Sequence, residues 1–549
     1  MLVGGGDLAA AGRRQARSLV ISQRGIVATS QVLASQAGAQ VLARGGSAVD
    51  AAIAANAVLT VVEPMMNGMG GDLFAMHREA SSGRITGLNA SGWAPRRLVA
   101  DLVKARGFVS MPQSGILSAT TPGCVAGWKA LHDRFGKLPW SELFRPAAYY
   151  AEHGFPVTEW IQGYWQDGAG KLRSDAAAGR IFLPGDRAPE VGEVFRNPEL
   201  AAALRLVAGQ GAEAFYRGPI AKAILATSER LGGVFDAEDL SAFEPEWVEP
   251  VHTEYRGWSV YELPPNSQGM AALEMLNLME RFPLGRHDAD SAEAMHLKIE
   301  AQKLAYQDLN RYLGDPRFAE VPLAGLLSKQ YAARRAEAID PATAACHPRP
   351  GNPPPTAGDT IYLTVVDRGG NIVSLIQSIY LSFGSGVVID GYGFHLHNRG
   401  GLFTLENGHP NELAPRKRPF HTIIPGFMEK DGRHIGFGIM GGLNQAQAHA
   451  QFVSNVVDHG MNIQMALEAP RFTKLNFGGC DVQIEGRLSE STYRGLRERG
   501  HTLESLGDFA SATGGGQAVL FDSRTGTKYG ASSPRKDGAA VPEPDPYFE

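Results

Sequence analysis

Gly358-Asp359-Thr360-Ile361-Tyr362-Leu363-Thr364-Val365-Val366-Asp367 decides how the rest of this chain is read. Ile361 to Val366 has the β-branched and aromatic texture of a strand. The run follows a proline-rich stretch, Pro353-Pro354-Pro355, and opens on a threonine. A hydroxyl there is poorly suited to packing and well suited to being freed as a new N-terminus. If the bond between Asp359 and Thr360 breaks, Thr360 carries a nucleophile and its own amine base on one residue. That pairing suits a chain that cuts itself and then works on amide bonds.

The neighbouring residues extend the strand reading. Ile372 to Tyr380 forms a second strand-like run, and Arg368-Gly369-Gly370 between the two is a hairpin signal. Counting back along both arms sets Thr360 opposite Ser378, to within a residue or two. Another strand pair is expected near residues 515 to 532. Upstream the texture is helical. Leu33, Ala37, Val41 and Leu42 share one face of a helix that Gly45-Gly46 ends. A second helix starts after Ser47, a suitable N-cap, and runs to about Val62. Glu63 to Asp72 is a glycine-rich loop leading into a strand, Leu73-Phe74-Ala75-Met76. Residues 120 to 230 read as mostly helical. A long helix is expected from Ser291 to Leu313, stopped by Gly314-Asp315-Pro316. Residues 340 to 358 read as an exposed linker. Helices first and strands after residue 360 imply sheets covered by helices in layers, an α+β or αββα arrangement.

Composition narrows the function classes. The chain has 549 residues, 44% hydrophobic and 20% charged, which suits a large globular interior. A formal net charge of −5 argues against nucleic acid or an anionic membrane as the main partner. No apolar run approaches the length of a membrane span. Met1 to Arg24 lacks the apolar core of a signal peptide, so the cytoplasm is the default compartment, with periplasm or secretion as alternatives. Cys124, Cys346 and Cys480 show no CxxC spacing, which argues against zinc or a redox dithiol. An odd, sparse set also argues against a disulfide framework, and burial as small apolar side chains is the preferred reading. Gly514-Gly515-Gly516 lacks a P-loop lysine, and the 15 histidines show no HExxH spacing. His395 and His397 alternate on a strand, where histidines are more often surface residues than ligands. Arg416-Lys417-Arg418 is too short a run for nucleic-acid binding. No metal and no cofactor are expected.

Several stretches, in order, resemble the gamma-glutamyltransferase family of N-terminal nucleophile hydrolases. They are Gly25 to Ser30, Gly45 to Ala52, Glu63-Pro64 with Gly68-Met69-Gly70-Gly71, and Ser291 to Met295 with Tyr312 to Pro316. Gly358-Asp359-Thr360, Arg418-Pro419, Gly441-Gly442 and Tyr529-Gly530-Ala531 with Pro534 to Gly538 complete the series. The resemblance implies a precursor cut before Thr360 into segments 1–359 and 360–549, interwoven in one four-layer αββα sandwich. It implies a small-molecule amide as the partner, by default a gamma-glutamyl amide such as glutathione. Hydrolysis or transfer to an amine would pass through a threonyl acyl-enzyme. It places an oxyanion hole at Gly441-Gly442 and a supporting hydroxyl at Ser378, where the family usually has threonine.

The chain departs from the family where the substrate is held. Tyr380 falls where asparagine is usual, and His421 and Thr422 fall where typical members carry two serines. Ser91 replaces the arginine that grips the glutamyl carboxylate, and Arg399 and Leu402 stand where acidic groups would hold the ammonium. A guanidinium repels an ammonium and prefers a carboxylate. Arg399 is thus a carboxylate grip or, on the plainer reading, a surface arginine. Three functions follow: a gamma-glutamyl enzyme, an acylase acting on a plain or dicarboxylic amide, or an inactive binding homologue.

Overall fold

In the computed structural model, residues 15–346, 359–476 and 478–547 are described. Residues 347–358, most of the expected linker, lie outside them. The alanine-rich segment forms helices Val32–Ala43 and Ala48–Val62. Ser47 caps the second in a reciprocal capping box with Asp50. The later helix Ala292–Tyr312 is likewise capped by Ser291.

Among the described residues the strands build two antiparallel seven-stranded sheets and three small ones. The first runs Ala539–Pro542, Ile26–Thr29, Asp359–Val366, Ile372–Tyr380, Asp72–Arg78, Ile85–Ala90 and Glu246–Val248. The second runs Val20–Ser22, Thr527–Ser532, Gly516–Asp522, Arg433–Ile439, Gly426–Lys430, Trp258–Glu262 and Val251–Tyr255. Both strand pairs expected from the sequence are present, and each joins a larger sheet.

Strand periodicity separates the cores. Ile361, Leu363 and Val365 join one core with Val58, Leu59 and the other helical residues outside the first sheet. Tyr362 and Val366 point the other way, into a layer with Phe427 and Val519 between the sheets. Helices Gly269–Met279, Ala292–Tyr312 and Asn444–Val457 cover the outside of the second sheet. The result is the four-layer αββα sandwich.

Thr360 shares parity with Tyr362 and Thr364, so it sits at the end of the face between the sheets. The sheets come close there because the facing strand carries glycines. A Cβ at Gly436 would lie 2.8 Å from Thr364 Oγ1, and one at Gly438 would lie 2.5 Å from the Tyr362 ring. The strands run in opposite senses, so the next step sets residues 440–441 level with Thr360.

The cysteine expectation holds only for Cys124, which is free and buried. Cys346 and Cys480, 134 residues apart, form a disulfide instead. Two cysteines so distant in sequence give no local spacing signal, and only the fold brings them together.

Gly438→Ala tests the close approach of the sheets. Overpacking costs about 1–3 kcal/mol. The variant should lose stability in that range by urea unfolding, and unchanged stability would mean that the sheets can separate at no cost.

Candidate active site

The hairpin sets the first contact. Ile361 pairs with Gln377, but Asp359 pairs with Tyr380, so the ladder shifts at Thr360. Two residues, Ser378 and Ile379, oppose one threonine there. Thr360 Oγ1 donates to Ser378 Oγ at 3.2 Å, and Ser378 Oγ also accepts the Tyr380 N–H at 2.8 Å. Both hydroxyl residues are fully buried, so Ser378 is not a solvated strand serine. Tyr380 takes a left-handed φ of 77°, which non-glycine residues avoid. Such outliers concentrate at functional sites. Thr364 turns to its neighbour strand and donates to the Val373 carbonyl.

Tyr380 leads to Arg399, whose guanidinium lies 4.7 Å from the centre of the tyrosine ring. Arg399 is 0% exposed, which rules out the surface reading. It opens the short turn Arg399–Leu402. Its Nη1 donates to Thr422 Oγ1 at 2.7 Å, while Nε and Nη2 have no partner among the described residues. No carboxylate among the described residues lies within ion-pair distance of it. Burial pulls its pKa down to about 10, against the attraction of Asp72, so it stays cationic at neutral pH.

The sequence reading named His421 but missed Asp72, the carboxylate that holds it. Asp72 is fully buried and accepts hydrogen bonds from His421 Nε2 and the Gly92 N–H, both at 2.9 Å. Burial alone would raise its pKa, but His397, His421 and Arg399 outweigh that and hold it below the ordinary value. His421 is pushed down to about 3, chiefly by burial and then by Arg399. It is therefore neutral, and with Nε2–H given to Asp72 its Nδ1 is an acceptor without a partner among the described residues. His397 and His395 are also buried, contrary to the surface expectation. His397 Nε2 donates to the Thr120 carbonyl at 3.0 Å, and His395 packs against Phe182 and Phe383. Asp72 follows the quoted Gly70-Gly71, which was the available signal.

Ser91 lies in a neighbouring network. Its hydroxyl donates to Asn89 Oδ1 at 2.7 Å and accepts from Asn266 Nδ2, and its carbonyl accepts from Arg418 Nε. Arg418 also pairs with Glu246, so Arg416-Lys417-Arg418 includes a structural cation.

Gly441 and Gly442 have φ of 121° and 57°, which favour glycine. Among the described residues neither backbone N–H donates a hydrogen bond. Gln268 fixes the loop, donating to the Gly442 carbonyl at 2.8 Å and to the Thr422 carbonyl. The triple glycine packs beneath, where a Cβ at Gly514 would fall 1.9 Å from the Met440 carbonyl oxygen. One connected site therefore joins Thr360, Ser378, Tyr380, Arg399 and Thr422, with the diglycine loop tied in through Gln268.

The sequence profile described as Gamma-glutamyltranspeptidase matches residues 34–543. The chain belongs to the gamma-glutamyltranspeptidase family. It is 37% identical over 529 residues to the glutathione hydrolase-like YwrD proenzyme of Bacillus subtilis, covering 95% of this chain and 99% of the relative. It is 35% identical over 531 residues to the oxamate amidohydrolase proenzyme of Klebsiella pneumoniae, with 95% and 99% covered. The crystal structure of cephalosporin acylase from Bacillus halodurans superposes with a TM-score of 0.91 at 40% identity, over 99% of this chain and all of that one. This member of the gamma-glutamyltranspeptidase family is thus an amidohydrolase or transpeptidase with the N-terminal nucleophile fold.

His421 gives this family member a pH signature. The unfolded histidine takes a proton near pH 6.5, and the folded one refuses it until about 3. Its contribution to stability is whole above pH 6.5 and is lost as pH falls toward 3. His421→Gln should make the unfolding free energy fall less steeply than wild type between about pH 7 and about pH 5 in urea titrations. An equal slope would show that His421 is protonated in the fold.

Proposed function

We propose that this enzyme cuts itself between Asp359 and Thr360, giving segments 1–359 and 360–549, and then cleaves amides of dicarboxylic acids that lack an α-ammonium group. The observation that carries the substrate reading is Arg399, a buried guanidinium with two nitrogens unpartnered among the described residues. An uncompensated buried charge is costly, and a carboxylate accepting from both nitrogens relieves it. An ammonium at the same place would be repelled. The name of one relative supports this, since oxamate carries a carboxylate beside its amide and no ammonium. The word proenzyme in the relatives' names supports self-cleavage.

The chemistry follows from the groups present. Before cleavage, Thr360 Oγ attacks the Asp359 carbonyl, giving an ester that water hydrolyses. The freed α-amino group has an ordinary pKa of about 7.7–8.0 and takes the Thr360 hydroxyl proton during attack on a substrate amide. Ser378 holds the hydroxyl. The Gly441 and Gly442 N–H groups face the developing oxyanion; loss of one such donor typically costs ~10²–10³ in rate. The proton passes to the leaving amine, and water or an acceptor amine then opens the threonyl ester. Arg399 binds the distal carboxylate, with Thr422 bracing its Nη1 and the Tyr380 ring beneath it. His421 and Asp72 complete the polar wall. Ser91 acts through the Asn89–Asn266 network and does not touch substrate.

The gamma-glutamyl reading is the second, favoured by the glutathione hydrolase-like relative. Glutaryl and gamma-glutamyl anilides separate the two, because they differ only at the α-ammonium. The glutaryl compound should be the better substrate. Arg399→Met should still process, and it should lose about 10²-fold in kcat/KM on that compound, the worth of one to two charge-assisted hydrogen bonds. Preference for the gamma-glutamyl anilide in the wild type would refute the dicarboxylic reading. Thr360→Ala should stay one inactive chain, while Thr360→Ser should process slowly. A cleaved, active Thr360→Ala protein would overturn the nucleophile assignment.

A further inference from the structure

The two disulfide partners lie on opposite sides of the cut. Cys346 precedes the Asp359–Thr360 bond, and Cys480 follows it. We propose that the Cys346–Cys480 disulfide is the covalent cross-link holding both products of self-cleavage in one molecule, and that it is a redox-addressable modification site. The proposal rests on the self-cleavage reading above. It concerns two residues that share no contact with the site residues described above.

The surroundings show how the sulfurs are brought together. The backbone just before Cys346 is held by groups from both sides of the cut. The Ala344 N–H donates to the Arg499 carbonyl at 2.7 Å, and the Ala345 N–H donates to Glu300 Oε2 at 3.2 Å. Lys303 Nζ donates to Glu300 at 2.7 Å and to the Ala345 carbonyl at 3.2 Å, and lies 3.9 Å from Cys480 Sγ. Arg499 Nη2 reaches back to Glu293 at 2.6 Å. His296 and His501, one from each side, share a hydrogen bond of 2.8 Å. This clasp holds the Cys346 and Cys480 segments together by contacts independent of the disulfide itself.

His296, Glu300 and His501 also lie close enough together to suggest a metal site. Glu300 is already committed to Lys303 and the Ala345 N–H, and His296 Nε2 bonds the Asp340 carbonyl. The group is accounted for as part of the clasp.

The redox chemistry balances simply. Two thiols lose two protons and two electrons to a disulfide oxidant, through a mixed disulfide, and an external dithiol reverses the exchange. Cys346 is half-buried at the surface, so a small thiol can reach it. The adjacent Lys303 ammonium favours Cys480 as the thiolate leaving group. Before the cut the bond closes a loop within one chain. After the cut it makes two chains one molecule, so unfolding no longer separates them.

The test uses the full-length protein, purified without reductant, equilibrated with cystamine and cysteamine, and alkylated before denaturation. Wild type should run as one species of full mass on a non-reducing denaturing gel and as two bands after dithiothreitol. Cys346→Ser and Cys480→Ser should each give two bands under both conditions. They should keep wild-type turnover at room temperature, since the contacts of both sulfurs are with Lys303, Ala344 and Gly500 and with no residue of the site. Their thermal midpoint should drop on tenfold dilution, whereas that of wild type should not. A cleaved wild type with both cysteines alkylated overturns the cross-link and leaves the self-cleavage reading intact. A single band after reduction, with the 359–360 peptide uncut by mass spectrometry, overturns self-cleavage, and with it the cross-link between products.

Discussion

The antiparallel ladder between strands Asp359–Val366 and Ile372–Tyr380 is regular from Val366 up to Ile361 and then slips at Thr360. That slip governs the site. It places Ser378 against the Thr360 hydroxyl and forces Tyr380 into a left-handed backbone. The tyrosine ring in turn lies beside Arg399. Sheets stacked through Gly436 and Gly438 bring the diglycine loop level with the same threonine. A side chain at either glycine would push the sheets apart and lift that loop away.

Charge is arranged as carefully as backbone. Asp72 and Arg399 are both fully buried, yet they form no direct ion pair. Asp72 spends its oxygens on a neutral histidine and a backbone N–H, which leaves the guanidinium available. A direct pair would neutralise both groups and hide the cation from a ligand. The separation leaves one enclosed positive charge unpaired by a carboxylate, which is what the proposed grip on an acidic substrate requires.

Local pattern made the secondary structure legible. The alanine-rich helices, the Ser47 cap, the long helix after Ser291 and the hairpin about Gly369-Gly370 depend on neighbouring residues, and they form close to where the sequence sets them. Thr360 opposite Ser378 was legible for the same reason. Arg399 was ambiguous because arginines are seldom buried without a partner, and only the folded site shows this one enclosed. The Asp72–His421 bond spans residues on two distant elements, and neither neighbourhood hints at the other. The pairing of Cys346 with Cys480 likewise depends on a long-range clasp. What escaped the reading was tertiary.

The first sheet alternates its origins. Ile26–Thr29 and Asp72–Arg78 precede the proposed cut and flank the strands Asp359–Val366 and Ile372–Tyr380, which follow it. Neither product of that cleavage would therefore own a complete sheet or a closed core. The precursor finds its shape as one continuous polymer, whereas mature halves, even tied through Cys346 and Cys480, would have to interleave the same strands again with their shared edges exposed. Cleavage there would make maturation a ratchet: the finished enzyme would persist through the height of its unfolding barrier, and heat that crosses the barrier would destroy an interleaved sheet that two tethered pieces have no easy route to rebuild.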